Sequence, residues 1–199
     1  MTPPMTWTDP TAPLDERLDA LMAAMSLTDL ARQLGSYWLP AGGDRPAPDP
    51  DAHEVAPMET EFTSELRPWG EAIDGGLGHL TRTYGTEPVT VPDGAAKLSR
   101  LQADVTGANA FGIPAIAHEE CLTGFTALGA TVYPASIAWG ATWRPELIGE
   151  MAAAIGSDLA TVGVQQGLSP LLDVVRDYRW GRVEETCGED PYLVGSIGT

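Results

Sequence analysis

The sequence predicts an α/β fold in which parallel strands alternate with helices. Short apolar stretches at residues 113–117, 132–142 and 164–175 read as strands, and a further short strand follows a turn at Gly75. Longer segments with helical periodicity separate them. This alternation is typical of βαβ units, whose parallel sheet is buried on both faces. We therefore expect functional side chains beyond the carboxyl ends of the strands, where such folds place their sites.

Helices are predicted wherever apolar residues recur three and four positions apart. Residues 14–34 form a helical pair, in which Ser26 starts the second helix with Asp29 at the capping-box position. Residues 94–111 and residues 145–163 follow the same pattern. The apolar sides expected on the first pair are Leu18, Leu21, Met22 and Met25 on one helix, and Leu30, Ala31 and Leu34 on the other.

Composition suggests one domain with two unusual segments. Residues 1–13 carry prolines among small polar residues and predict a disordered lead-in, and residues 14–199 are expected to form the domain. Within it, residues 40–70 contain six prolines and many acids, which predicts a long loop. The 43% hydrophobic content and 20% charged content are values typical of globular chains.

The charge balance restricts the possible partners. With 28 acids, 11 bases and a net charge of -17, the chain is not expected to bind nucleic acid or an anionic membrane surface. Neither an apolar run of membrane length nor a signal peptide is visible, so a cytoplasmic location is expected. Cys121 and Cys187 do not resemble a disulfide framework and are expected to be reduced thiols.

Two adjacent carboxylates form the first candidate site. His118, Glu119 and Glu120 come directly after the strand predicted at residues 113–117. Ionised Glu120 accepts hydrogen bonds only, which suits the hydroxyls of a polyol. The alternative is that one of the two glutamates caps a following turn, and the residues alone leave both interpretations open. The spacing around His118 lacks the HExxH pattern, so no metal or cofactor is expected.

An arginine cluster near the end of the chain forms the second candidate site. Arg182 follows a Trp-Gly pair, and its guanidinium could donate a fork of hydrogen bonds to a substrate oxygen or to a carboxylate. The alternative is a network of ion pairs with the acids that follow, which we favour for Arg176 and Arg179. These acids are Glu184, Glu185, Glu189 and Asp190. For Arg182 the sequence leaves both roles open.

Four stretches, in order along the chain, carry a resemblance to a known family. They are LDERLDALMAAMSLTDLARQLG, GGLGHLTR, GIPAIAHEECLTG and GATVYPASIAWGATWRPELIGEMAAAIGSDLATVGVQQGLSPLLDVVRDYRWGRVEETCGEDPYLVG. They span most of residues 14–195 outside the 40–70 loop. The chain resembles the N-terminal part of the catalytic domain of glycoside hydrolase family 3, the group of β-glucosidases and β-xylosidases.

The resemblance implies the first part of a (β/α)8 TIM-type barrel and retaining hydrolysis of β-linked glucosides, xylosides or aryl glycosides. Within HEECLTG it implies that Glu120 binds hydroxyls of the sugar in the innermost subsite. It implies the same role for Arg182, with Arg176 and Arg179 bracing its loop against the following acids. Thr123 stands where the family often has histidine, which is expected to alter hydroxyl contacts. Arg144 replaces the usual aspartate at a helix start, which removes an N-cap.

Other parts of the family's active site have no counterpart in the sequence. The resemblance implies that a Lys-His pair and the nucleophilic aspartate lie beyond Thr199, and that the acid/base belongs to another region. A full barrel takes about 250 residues. We therefore expect an incomplete barrel, a fragment of a longer enzyme that is inactive alone and holds no catalytic residue. The alternative is a non-catalytic sugar-binding or scaffold protein of the same fold, and an N-acetylglucosaminidase is a weaker option.

Overall fold

The computed structural model describes residues 6–39 and 67–199. Its helices are α1 (Leu14–Ala24), α2 (Leu27–Arg32), α3 (Trp69–Ala72), α4 (Val91–Ala108), α5 (Ser136–Ala141), α6 (Pro145–Thr161) and α7 (Pro191–Ile197). Its strands are β1 (Ser36–Trp38), β2 (His79–Thr81), β3 (Ile116–Glu120) and β4 (Gln166–Leu168). Short 3-10 helices span Thr6–Thr8 and Val183–Glu185.

The four strands form one parallel sheet in chain order, β1-β2-β3-β4. Thr81 of β2 lies opposite His118 of β3, and Glu120 lies opposite Leu168 of β4. This confirms the predicted parallel α/β fold. Because all strands run in one direction, their carboxyl ends lie along the same edge of the sheet.

Helices cover one face of this sheet and form the main core with it. Leu80 of β2 and Ala117 of β3 are almost fully buried there. The helical side chains of this core include Leu98, Leu101 and Val105 of α4 and Ile155 and Leu159 of α6. The opposite face is more open in the described residues, since Ile116 is 43% exposed and His118 and Glu120 are partly exposed. Burial on both faces, as predicted, is therefore not found in this part of the chain.

Strand β3 begins at Ile116, three residues later than its predicted start at Ile113. Just before this strand, side chains form hydrogen bonds with the backbone N–H and carbonyl groups. Asn109 accepts a hydrogen bond from the Ile113 N–H at 3.0 Å and donates one to the Ile113 carbonyl at 2.9 Å. Gln102 similarly bonds both backbone groups of Ala115. These residues have fewer backbone groups left for a ladder, so the strand is displaced toward its charged end.

The strand predicted within residues 132–142 is wrong, because most of this segment is the helix α5. Its buried positions Ser136, Trp139 and Gly140 are three and four residues apart, which is a helical spacing. A Cβ on Gly140 would lie 2.2 Å from the carbonyl oxygen of Cys187, so glycine allows the helix to approach that backbone closely.

The other helices appear where they were predicted, with shifted ends. Helix α4 starts three residues earlier than residue 94, because the Thr90 side chain accepts a hydrogen bond from the Asp93 N–H and caps it. Helix α6 ends two residues earlier than predicted. Strand β4 is much shorter than residues 164–175, and Pro170, which cannot donate to a ladder, lies just beyond it.

The first helical pair confirms the predicted capping box but not the predicted burial. The Ser26 side chain accepts from the Asp29 N–H at 3.2 Å, and the Asp29 carboxylate accepts from the Ser26 N–H at 2.9 Å. However, Leu18 and Leu34 are 48% and 86% exposed. For Leu18 the reason is that α1 packs mainly against the 3-10 helix Thr6–Thr8 instead of the sheet.

Two predicted irregular segments are only partly described. Residues 6–13 of the predicted disordered lead-in are described, and in them the Trp7 carbonyl accepts from Arg17 Nε at 3.1 Å and the Trp7 ring contacts Phe111. Residues 1–5, and residues 40–66 of the predicted loop, lie outside the described residues. In the described ranges no helix has the length and apolar character needed to cross a membrane.

Two glycines of α4 provide a matched test of how closely this helix packs against Tyr84. A Cβ on Gly94 would lie 2.2 Å from the buried Tyr84 ring, whereas a Cβ on Gly107 would meet nothing within 4 Å. We expect Gly94→Ala to lower the free energy of unfolding by about 1–3 kcal/mol through overpacking. Gly107→Ala should be neutral or stabilising by up to about 1 kcal/mol. Urea unfolding of both variants measures this, and equal effects would contradict it.

Candidate functional site

The carboxyl ends of β2 and β3 bring two opposite charges together. Glu120 is the last residue of β3, and Arg82 directly follows β2. The Arg82 N–H donates to the His118 carbonyl at 3.0 Å, which extends the pairing between the strands. Arg82 Nη2 donates to Glu120 Oε1, and the two side chains are 17% and 27% exposed. Glu120 therefore lies at the predicted edge of the sheet, within the strand instead of after it.

Arg82 was not singled out from the sequence. Its guanidinium carbon lies 4.5 Å from the centroid of the Trp38 ring, a cation–π arrangement that links it to β1. The available signal was its position in GGLGHLTR, immediately after a predicted strand, which is where parallel folds place functional side chains.

Glu119 is the glutamate that holds a turn. Glu119 is 1% exposed, and its carboxylate accepts hydrogen bonds from the Tyr84 N–H at 2.8 Å and the Gly85 N–H at 3.1 Å. These groups belong to the loop after β2. Burial raises the pKa of Glu119 to about 7, although the backbone donors and Arg82 act in the opposite direction. Of the two glutamates, Glu120 is thus the one that remains partly exposed.

Among the described residues, the histidine beside these glutamates does not belong to a metal-binding cluster. The His118 and His79 rings lie 5.6 Å apart on neighbouring strands. Burial, followed by the charge of His79, lowers the pKa of His118. Across residues 6–39 and 67–199, no group of three or more His, Cys, Asp or Glu side chains could hold a metal ion.

Arg182 lies on the loop after β4 and is paired with an acid. Its Nε and Nη2 donate to Glu185 Oε2, with an Nε distance of 2.9 Å, while its side chain remains 53% exposed. The pKa of Arg182 is raised, first by this hydrogen bond and also by the charges of Glu120 and Asp173. This electrostatic effect links Arg182 to Glu120, which is 62 positions earlier in the sequence.

The predicted bracing of this loop is wrong for Arg179. This side chain forms an ion pair with Asp177, two residues before it, and not with the acids that follow. Arg176 is exposed. Tyr178 also contacts a later acid, because its hydroxyl donates to Glu189 at 3.0 Å.

The structure also describes the surroundings of Thr123 and Arg144, the two residues that depart from the family pattern. Thr123 lines a cavity of about 240 Å³ between the loops that follow β2 and β3, and neither Glu120 nor Arg182 lines it. Arg144 occupies the N-cap position of α6 without a side-chain capping bond, so the predicted loss of the N-cap is confirmed.

Comparison with known proteins identifies the family. The family description "glycosyl hydrolase family 3 N terminal domain" matches residues 70–199. This chain belongs to glycoside hydrolase family 3, as its sequence motifs predicted. Its similarity to a beta-xylosidase of Formosa agariphila is 40% identity over 108 residues, which are 51% of this chain and 15% of the relative. A putative beta-xylosidase of the same organism is 29% identical over 185 residues, which are 90% of this chain and 22% of the relative.

Solved structures agree with this family. A β-glucosidase from Erythrobacter marinus matches with a TM-score of 0.74 and 28% identity, over 98% of this chain and 23% of the other. A β-glucosidase mutant from Listeria innocua in complex with laminaribiose matches with a TM-score of 0.66 and 25% identity. The match covers 92% of this chain and 22% of the other. The sheet therefore corresponds to part of a TIM-type barrel domain. The chain spans 15% and 22% of the length of the two curated relatives above.

The raised pKa of Glu119 predicts a pH dependence of stability. Between pH 4.5 and pH 7 the folded chain binds more protons at Glu119 than the unfolded chain. The free energy of unfolding should therefore fall as the pH rises through this window, by on the order of 3 kcal/mol from this group. Glu119→Gln, which cannot ionise, should lack this contribution.

Urea unfolding of both proteins at several pH values across this window measures the difference. The gap in stability between the parent chain and Glu119→Gln should change steadily from the acidic end to neutrality. A gap that stays constant across the window would show that Glu119 does not titrate there.

Proposed function

We propose that this chain forms the sugar-binding part of a retaining β-glycosidase of the β-glucosidase or β-xylosidase type. The observation that supports it best is the pair Glu120 and Arg182. Glu120 ends β3 at the carboxyl edge of the sheet, and Arg182 lies on the loop after β4, in a chain that belongs to glycoside hydrolase family 3.

The chemistry of these two side chains suits a sugar. A carboxylate accepts up to four hydrogen bonds, and the contact with Arg82 uses only one oxygen of Glu120. Its other oxygen can accept from a sugar hydroxyl. The Arg182 guanidinium has five N–H donors, of which those at Nε and Nη2 contact Glu185. Its remaining donors can bind sugar oxygens without breaking that ion pair.

The proposed substrates are β-linked glucosides and xylosides. The two relatives from Formosa agariphila carry the names of β-xylosidases. The Listeria enzyme was crystallised with laminaribiose. Glucose and xylose rings present the same kind of neighbouring hydroxyls to a carboxylate and a guanidinium. The site of this chain is thus suited to holding the sugar whose anomeric bond is cleaved.

Hydrolysis with retention needs two carboxyl groups about 5–5.5 Å apart, one as nucleophile and one as acid/base. Glu119 is buried and bonded to backbone N–H groups, and Glu120 is assigned to binding. We assign the nucleophile and the acid/base to parts of the enzyme outside residues 1–199. The role of this chain in the reaction is then to orient the sugar relative to those groups.

Substitution of the two binding residues tests this role in the full-length polypeptide that contains residues 1–199. We expect Glu120→Gln or Arg182→Lys to lower kcat/KM for nitrophenyl β-glucoside or β-xyloside by about 10-fold or more, because transition-state contacts are lost. Arg179→Lys is the matched control, since Arg179 is exposed and pairs locally with Asp177. Its kinetics should stay within about two-fold of the parent. Parent-like kinetics of Glu120→Gln would refute the assignment.

A second test uses residues 1–199 alone. This polypeptide should release no nitrophenol from aryl β-glucosides or β-xylosides, because retaining hydrolysis requires two catalytic carboxyls that we place elsewhere. Turnover would contradict that placement. Tryptophan fluorescence during glucose and xylose titrations should be measured in parallel. Sugar binding without any hydrolysis by the full-length polypeptide would instead favour a non-catalytic sugar-binding protein.

A further inference from the structure

Arg82 occupies a backbone conformation that does not suit an ordinary residue. Its φ is 51°, in the left-handed region where a Cβ is crowded and where glycine or asparagine is favoured. A residue with a long charged side chain at a strained position is therefore a candidate for a functional role.

The contacts around Arg82 hold its guanidinium in one place. The Trp38 ring lies beneath it at 4.5 Å. Trp38 Nε1 donates to Thr86 Oγ1 at 2.7 Å, and the Thr86 hydroxyl donates to the Arg82 carbonyl at 2.7 Å. Thr86 is 1% exposed. This closed ring of contacts fixes both the side chain and the backbone of Arg82.

The same loop is fastened to the strand that carries Glu120. The buried Glu119 carboxylate binds the N–H groups of Tyr84 and Gly85, two and three residues after Arg82. Glu119 and Glu120 are adjacent, so the loop and the carboxylate that it contacts belong to one connected unit. Movement of Arg82 relative to Glu120 is thereby restricted from two sides.

We propose that Arg82 is a positioning residue for Glu120. By donating from Nη2 to Oε1 it fixes the orientation of the carboxylate, so that Oε2 is presented to a sugar hydroxyl. Trp38 and Thr86 act one step further out, since they hold Arg82 itself. The inference rests on the proposed function, because it requires Glu120 to bind the sugar.

The test is a double-mutant cycle in the full-length polypeptide, measured as kcat/KM with nitrophenyl β-glucoside and β-xyloside. Arg82→Gln should lower kcat/KM by about 10-fold or more, and Arg82→Lys, which keeps the charge, should recover part of the loss. Because Arg82 acts through Glu120, adding Arg82→Gln to Glu120→Gln should cause little further loss. A residue with only a structural role would not show this non-additivity.

Two further variants keep the result interpretable. Arg82→Asn tolerates the left-handed conformation, so it should remain folded by circular dichroism and show the same loss if Arg82→Gln is unstable. Arg179→Gln is the control for removing an exposed arginine, and it should leave kcat/KM within about two-fold.

The outcomes separate this inference from the proposed function. Parent-like kinetics of the folded Arg82 variants, with Glu120→Gln impaired, would overturn the positioning role alone. Losses that multiply in the double variant would also overturn it, because the two residues would then act independently. Parent-like kinetics of Glu120→Gln would overturn the proposed function and this inference together.

Discussion

The candidate site depends on the buried carboxylate of Glu119. Glu119 accepts hydrogen bonds from two backbone N–H groups of the loop after β2, and these bonds hold that loop against β3. A buried carboxylate is costly unless hydrogen bonds compensate it, and these two donors provide that compensation. With the loop held, Arg82 reaches Glu120 and Trp38. Burial raises the pKa of Glu119, and these hydrogen bonds act in the opposite direction.

Each of the two side chains proposed to bind the sugar forms an ion pair with a side chain of opposite charge. Glu120 contacts Arg82, and Arg182 contacts Glu185. These pairs orient the Glu120 and Arg182 side chains while leaving both partly exposed. Preorganised donors and acceptors lower the cost of binding, since fewer rotamers must be fixed at that step.

The sequence predicted the helices better than the strands. Repeats three and four residues apart extend over many positions in α4 and α6, so their existence was clear and only their ends moved. Strands of three to five residues contain too few positions for a reliable period. The start of β3 was decided by side chains, because Asn109 and Gln102 bind the backbone just before it. The short α5 was mistaken for a strand because its apolar residues form a brief continuous run.

The sequence by itself determined the parallel α/β class, the family, and the candidates Glu120 and Arg182, because these follow from local patterns and motifs. Only the tertiary structure decided that Glu119 is the structural glutamate and that Arg82 accompanies Glu120. The physical reason is that these contacts join residues 35 and 38 positions apart. Such contacts depend on the register between β2 and β3, which places Thr81 opposite His118. No local pattern of residues encodes that register.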